Sequence, residues 1–578
     1  MRLSPRPPSR LLRLTAGLMA LLTGLTGSPG SLAQGTGTAR TAVAPRLPAL
    51  GDAAVEDLGP GAERRLGEQV MREVRQDPDY LDDPVLGQYV AGLWQPLVEA
   101  ARRRGDIGTD TDTLFAWETF LVRDRSVNAF ALPGGHVGVH LGLIAMTPGA
   151  DELASVLAHE LAHVTQHHIA RRLSASSRNQ TVSMAAMLLA ILAASRSSGN
   201  LEAANAAIVG SQAATLQADL NFSRDMEREA DRQGDQLLRE AGYAPDAMSR
   251  MFDRLDQANR LNDNGAYPYL RSHPLTTERI GEARQRLQAE GLQGAEESLR
   301  STGRPDRGEP PAAVATATAT ATVSTASAIS VPPAVHALMR ARARVLMDSS
   351  PAALERQLAL ALTTPRDGAL ATGDALATLS AGATAGMRLR QFDRARSLLA
   401  QARQGLAATS AADPAGADLM SDLLILQQAE LELAAGQPEA AGTVLAGLRQ
   451  PRQRAAMLLR AQQAEALPGA REAAWRASLD ELQLWTSQHG GDATAWHWQA
   501  QLAQRLGQPL RALRAQAENR AALGDLRGAV DRLSAAQRQA RGDASRREFI
   551  EATVIDARLR ELTAELRSLR REAEGGRP

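Results

Sequence analysis

Residues 151–172 read DELASVLAHELAHVTQHHIARR, and no other stretch limits the possible folds of this chain as tightly. Leu153, Val156, Leu157, Leu161 and Val164 recur at helical spacing, so the pattern predicts a helix. With about 3.6 residues per turn, side chains four apart share a face, and His159 and His163 can offer two imidazole nitrogens to one ion. Glu160 lies about 100° around the same helix, where a carboxylate can take a proton from water at that ion. This spacing points to the working end of a zinc hydrolase, the alternative being a helix that carries His, Glu and His by chance.

Two histidines leave the set short, because a catalytic zinc commonly takes three protein ligands. The chain has no cysteine, which excludes disulfides and thiolate ligands and leaves histidine and carboxylate to complete the site. Residues 223–231, SRDMEREAD, begin a second predicted helix that runs to about Ala241. Glu227 and Asp231 are four apart, so Glu227 can ligate while Asp231 holds the N–H of a ligand histidine. Glu229 points away in that geometry. Alone, the segment reads as a solvated, salt-bridged helix face. Beside a zinc helix that lacks a ligand, the metal reading is preferred, with one Zn2+ per chain.

A chain of 578 residues exceeds what one core serves and divides into about three or four units. Its formal net charge is zero, so bulk charge implies no nucleic-acid partner and no anionic membrane surface. Residues 1–33 combine Arg2, Arg6, Arg10 and Arg13 with an apolar run and Ser31-Leu32-Ala33, the features of a secretory signal peptide. The apolar run is shorter than the roughly 20 residues that span a bilayer, so a stable transmembrane anchor is the weaker reading. Residues 34–61, rich in Gly, Thr, Ala and Pro, read as a flexible leader.

From residue 62 the pattern becomes that of a folded domain reaching to about residue 300. Helical spacing is followed by a strand-like run and then by SVNAFALPGGHVGVH at residues 126–140, two β-type runs around Pro133-Gly134-Gly135 that predict a hairpin. A strand edge beside a peptidase cleft can hold an extended chain by β-addition, which makes Asn128, Gly135, His136 and Val137 candidate substrate-binding positions. Ordinary sheet core is the equal alternative for each. Residues 181–194, TVSMAAMLLAILAA, read as a buried core helix, a lid over the cleft, or a membrane or hydrophobic-client contact.

HELAH and EREAD, with NAFALPGG ahead and SHPLTTERI behind, resemble the gluzincin metallopeptidases related to the CAAX prenyl proteases and the heat-shock protease HtpX, over about residues 60–290. By architecture alone, the signal peptide and helical C-terminal half are similar to exported members that carry tetratricopeptide repeats. The resemblance implies an α+β, mainly α, zincin-like domain with a small sheet. It implies His159, His163 and Glu227 as zinc ligands and Glu160 as general base. It also implies that His273 is a regulatory fourth ligand with a part in catalysis, and that Arg279 is a catalytic arginine facing the cleft. From the residues alone, His273 before Pro274 is only a loop histidine. The implied activity is that of a periplasmic zinc endopeptidase in quality control of outer-membrane or envelope proteins. Its clients would be unfolded or misassembled envelope proteins, with the outer-membrane β-barrel assembly machinery as candidate partner. The alternative is a periplasmic chaperone or assembly scaffold in which proteolysis is secondary.

Residues 301–333 alternate Ala and Thr between prolines and offer too little large apolar surface for a core, so they read as a disordered linker. This linker is longer than close packing of two halves requires. Residues 334–572 are almost wholly helical in pattern, with Gln391-Phe392-Asp393-Arg394-Ala395 and Gly436-Gln437-Pro438 in turn-and-helix settings typical of tetratricopeptide repeats. An all-α solenoid of that type is expected there, a plain helical array being the alternative.

Overall fold

The computed structural model describes residues 59–176, 224–261, 267–302, 331–364, 373–409, 414–469, 471–542 and 549–575. The expected signal peptide, the leader up to residue 58, the apolar segment at 181–194 and linker residues 303–330 lie outside the described residues.

The N-terminal half opens with α1 (Pro60–Val74) and the short β1 (Tyr80–Leu81). Next comes α2 (Pro84–Arg104), which starts where the Asp83 carboxylate accepts the Leu86 amide at 2.9 Å and stops at Gly105, whose φ of +78° few other residues tolerate. Trp94, Leu93 and Leu97 bury one face of α2 completely or nearly so. After α3 (Thr109–Leu114) follow β2 (Glu118–Val122), β3 (Ala129–Leu132) and β4 (His136–His140), and the four strands pair in the order β1-β2-β4-β3. β3 and β4 form the expected hairpin: Gly134 and Gly135 both have positive φ, as a tight turn between right-twisted strands demands. β2 runs parallel to β4, so β4 is internal and β3 is an edge among the described residues.

Next come α4 (Leu141–Met146) and α5 (Ala150–Thr165), the helix that carries the HELAH stretch. Nearly every side chain of α5 is buried, because α2, β3 and two later helices enclose it. Those helices are α7 (Arg224–Glu240), which follows α6 (His168–Ser176), and α8 (Ala247–Leu261). A Cβ at Gly234 would stand 3.1 Å from the Ala158 backbone and from His159 Cα, so the missing side chain lets α7 lie directly along α5. Gly234 is seven residues after Glu227 and three after Asp231, hence on the same helix face as both. The half closes with α9 (Tyr269–Ser272) and α10 (Thr277–Thr302).

The C-terminal half is a tetratricopeptide-like, all-helical array running from α11 (Pro333–Met347) to α22 (Phe549–Gly575), in which successive helices pack on one another. It does not hang free of the N-terminal half. Val335, Leu338, Met339 and Leu346 of α11 share one apolar core with Leu141, Leu143 and Ile144 of α4. Polar ties flank that core. Arg342 is forked onto Asp83, at 2.7 to 3.1 Å, and also reaches Glu430; Arg454 binds both oxygens of Asp82 at 2.8 Å. The length of the linker therefore did not foretell a loose arrangement, since buried apolar area and matched charge decide docking whatever the tether. No helix among the described residues is long and apolar enough to cross a membrane.

Candidate metal centre

His159 and His163, one turn apart on α5, place their Nε2 atoms 3.0 Å from each other. α7 brings Glu227 beside them, with Oε1 3.6 Å from His163 Nε2. The turn after α9 adds His273, whose Nδ1 is 3.3 Å from His159 Nε2 and 3.0 Å from Glu227 Oε1. One donor atom from each of the four lies within 4.8 Å of the others, and all four residues are buried.

The chemistry of this donor set fits a cation. Ligands about 2.0–2.1 Å from a tetrahedral zinc are separated by about 3.3 Å, close to the separations found here. Electrostatics favours positive charge at the same point. Burial lowers the pKa of His159, but its hydrogen bonds to the Asp231 and Glu227 carboxylates outweigh it and carry the ring up to about 9. Burial and the neighbouring His159 hold His163 well below its ordinary range. Burial raises Glu227, yet the His273 and His159 rings beside it bring the carboxylate well below its usual value. Positive charge is thus favoured at the cluster, and a divalent metal can engage its three imidazole nitrogens and its carboxylate together.

Around these donors stands a ring of orienting groups. Asp231 Oδ1 lies 3.1 Å from His159 Nδ1. Arg279 grips both oxygens of Asp231 at 2.6 and 2.7 Å, and its Nη1 reaches the Pro274 carbonyl at 2.9 Å and Glu227 Oε2 at 2.8 Å. With 4% of its side chain exposed, Arg279 is turned to these groups. Glu160 is fully buried beside His273, its Oε1 3.5 Å from that ring and its Oε2 accepting the Ala131 amide at 3.0 Å.

The expected substrate-binding positions fare differently. His136 and Val137 lie on β4 with strands paired on both sides, so no extended chain can add to them. The Gly135 carbonyl accepts the Glu118 amide and the Asn128 carbonyl accepts the His140 amide, each at 3.0 Å. His136 is instead a partner of Glu118, which burial raises but His136 and Arg75 bring down to about 2. The outward edge belongs to Ala129 and Ala131 of β3, because residues 128, 130 and 132 turn their backbone groups toward β4.

One residue escaped the sequence reading altogether. The helix does not run unbroken to residue 172: it ends at Thr165, His167 takes a φ of +50°, and α6 restarts at His168. That break swings the fully buried His168 under His163, with their Nδ1 atoms 2.9 Å apart, and Glu229 reaches His168 Nε2 at 3.1 Å. Glu229 does point away from the donor group, but toward a partner. The only hint in the sequence was a histidine five residues after His163.

Comparison with known proteins agrees with this geometry. The description Peptidase family M48 matches residues 97–287. A putative beta-barrel assembly-enhancing protease of Vibrio cholerae is 38% identical over 240 residues, 42% of this chain and 47% of the relative. The beta-barrel assembly-enhancing protease of Escherichia coli K12 is 34% identical over a stretch of the same length and coverage. The mitochondrial metalloendopeptidase OMA1 of Schizosaccharomyces pombe is 36% identical over 166 residues, 28% of this chain and 44% of that protein. The chain thus spans about half the length of the curated relatives it matches. The donors on α5 and α7 and the loop carrying His273 all fall inside the region that matches the description Peptidase family M48.

Proposed function

We propose that this chain is an exported, zinc-dependent endopeptidase acting on outer-membrane or envelope proteins in the periplasm, and that its helical half recruits clients or assembly machinery. The observation that carries the reading is the buried group of His159, His163, Glu227 and His273, with Glu160 set against it. The names of the relatives support the envelope setting, and the features of residues 1–33 support export.

His159, His163 and Glu227 would hold one Zn2+, with Asp231 orienting His159. Bound there, zinc supplies Lewis-acid polarisation of a carbonyl and makes water more acidic. His273 would occupy the fourth position at rest and withdraw when a client or partner moves its loop. Glu160 would then accept the proton of the attacking water and deliver it to the leaving amine. As Glu160 turns to that water it releases the Ala131 amide, and the edge of β3 can pair with an extended client. Arg279 would act by holding Asp231, Glu227 and the His273 loop in place.

Glu160→Gln tests the reading, because the amide keeps the shape of the side chain and cannot serve as base. The variant should fold and keep its zinc while proteolysis falls by orders of magnitude, and it should trap uncleaved clients in a pull-down from envelope extract. Full complementation of an envelope-assembly defect by this variant would replace the peptidase with the scaffold reading.

A further inference from the structure

We infer that His168, anchored by Glu229, is a positioning residue that fixes the tautomer and orientation of the His163 ring, so that the Nε2 lone pair of His163 faces the metal donors. The inference rests on the zinc-peptidase reading and extends it to a residue that no ligand pattern picks out.

Glu229 stands at the outer end of the relay. Its carboxylate can only accept, so at 3.1 Å it takes the Nε2–H of His168. Arg171 reaches the same oxygen at 3.1 Å and keeps the carboxylate charged and in place. A neutral imidazole with its proton on Nε2 has its lone pair on Nδ1, and in His168 that atom lies 2.9 Å from His163 Nδ1. His163 must then carry its proton on Nδ1. Its remaining lone pair is on Nε2, the atom 3.0 Å from His159 Nε2 and 3.6 Å from Glu227 Oε1.

On the other ligand helix position the same task is done in one step, by Asp231 at His159 Nδ1. At His163 the Nδ1 atom meets His168, and the Glu229 carboxylate acts on it through that ring, as a relay. The relay exists because α5 breaks at His167: a continuous helix would place His168, five residues on, about 140° around the axis from His163. His168 is wholly buried while the Glu229 side chain is 30% exposed, so the imidazole carries the influence of a surface carboxylate into a site from which water is excluded.

Zinc affinity of the full chain, measured by competition with a chromogenic chelator, tests this without reference to proteolysis. His168→Leu removes the acceptor and should weaken zinc binding about 10–100-fold, the usual effect of losing the group that orients a metal-bound histidine. His168→Asn sets an amide oxygen near the place of Nδ1 and should recover most of that loss. Glu229→Ala should weaken binding in the same direction but less. Thermal unfolding of the zinc-free variants separates this role from packing, since a purely structural histidine would lower the apo midpoint and leave the affinity of the folded chain unchanged. Wild-type affinity in His168→Leu, or an Asn variant as weak as the Leu variant, overturns the inference, and wild-type affinity in Glu229→Ala removes the anchor. Failure of the wild-type chain to bind zinc would instead overturn the metallopeptidase reading itself.

Discussion

Arg279 and Asp231 meet as fork and carboxylate, Nε and Nη2 on one side facing Oδ2 and Oδ1 on the other at 2.6 and 2.7 Å, with both side chains almost entirely out of water. Burial raises Asp231, and the guanidinium overrides it and holds the carboxyl below the usual range. Removing one partner of a buried pair leaves the other charge stranded. Arg279→Ala should therefore destabilise the zinc-free chain by about 3–5 kcal/mol. Arg279→Lys should recover only part of this, because an ammonium cannot bind both oxygens in one plane. Urea unfolding of the three proteins checks both statements; an Ala variant as stable as wild type would show that the fork holds nothing together.

Glu227 is the only carboxylate among the four grouped donors. Glu227→Ala should lose most of the roughly one zinc per chain carried by wild type, since two histidines on one helix make an incomplete site and His273 sits on a loop. Metal analysis of the purified variant is the measurement, and full occupancy would remove Glu227 from the ligand set.

His273 packs against Tyr269, ring centroids 4.7 Å apart, and its loop is tied by the bond from Arg279 to the Pro274 carbonyl. A cap held this way restrains the site, so His273→Ala should digest a loosely folded substrate such as casein faster than wild type at equal zinc content. If His273 stabilises the transition state instead, the variant is slower. The sign of the change decides.

His336 joins the two halves. A carbonyl only accepts, so the contact of Nε2 with the Thr147 oxygen at 2.9 Å puts the proton there, and Nδ1 accepts the Tyr89 hydroxyl at 2.5 Å. Burial, helped by Arg340 and opposed by the Thr147 bond and Asp151, pushes this ring from its ordinary 6.5 down to about 4. Between those values the unfolded chain binds a proton that the folded chain refuses. The stabilising effect is thus complete above pH 6.5 and is lost as pH falls toward 4, by on the order of 3 kcal/mol at most. His336→Gln should flatten the dependence of the unfolding midpoint on pH across that window. An unchanged slope would place the titration elsewhere.

What could be read from the sequence follows from local geometry. His159 with His163, and Glu227 with Asp231, share a face because a helix of any surroundings brings residues four apart into line, and the two glycines after Pro133 permit a tight turn wherever the strands lie. The absence of cysteine excluded thiolate ligands without any structure. What only the tertiary structure decided are meetings between distant segments. His273 joins His159 across 114 residues, and it does so because α7 and α10 are locked together through Arg279. Among the described residues β3 and not β4 is the edge, because β2 pairs in parallel with β4, which the alternation within either strand does not reveal. His168 reached His163 through one backbone angle at His167, and the helical half docked on α4 through apolar area and the Arg342–Asp83 pair. A period along the chain reports which side chains share a face, whereas the partner of that face is selected by packing and charge among segments whose separation in sequence carries no such period.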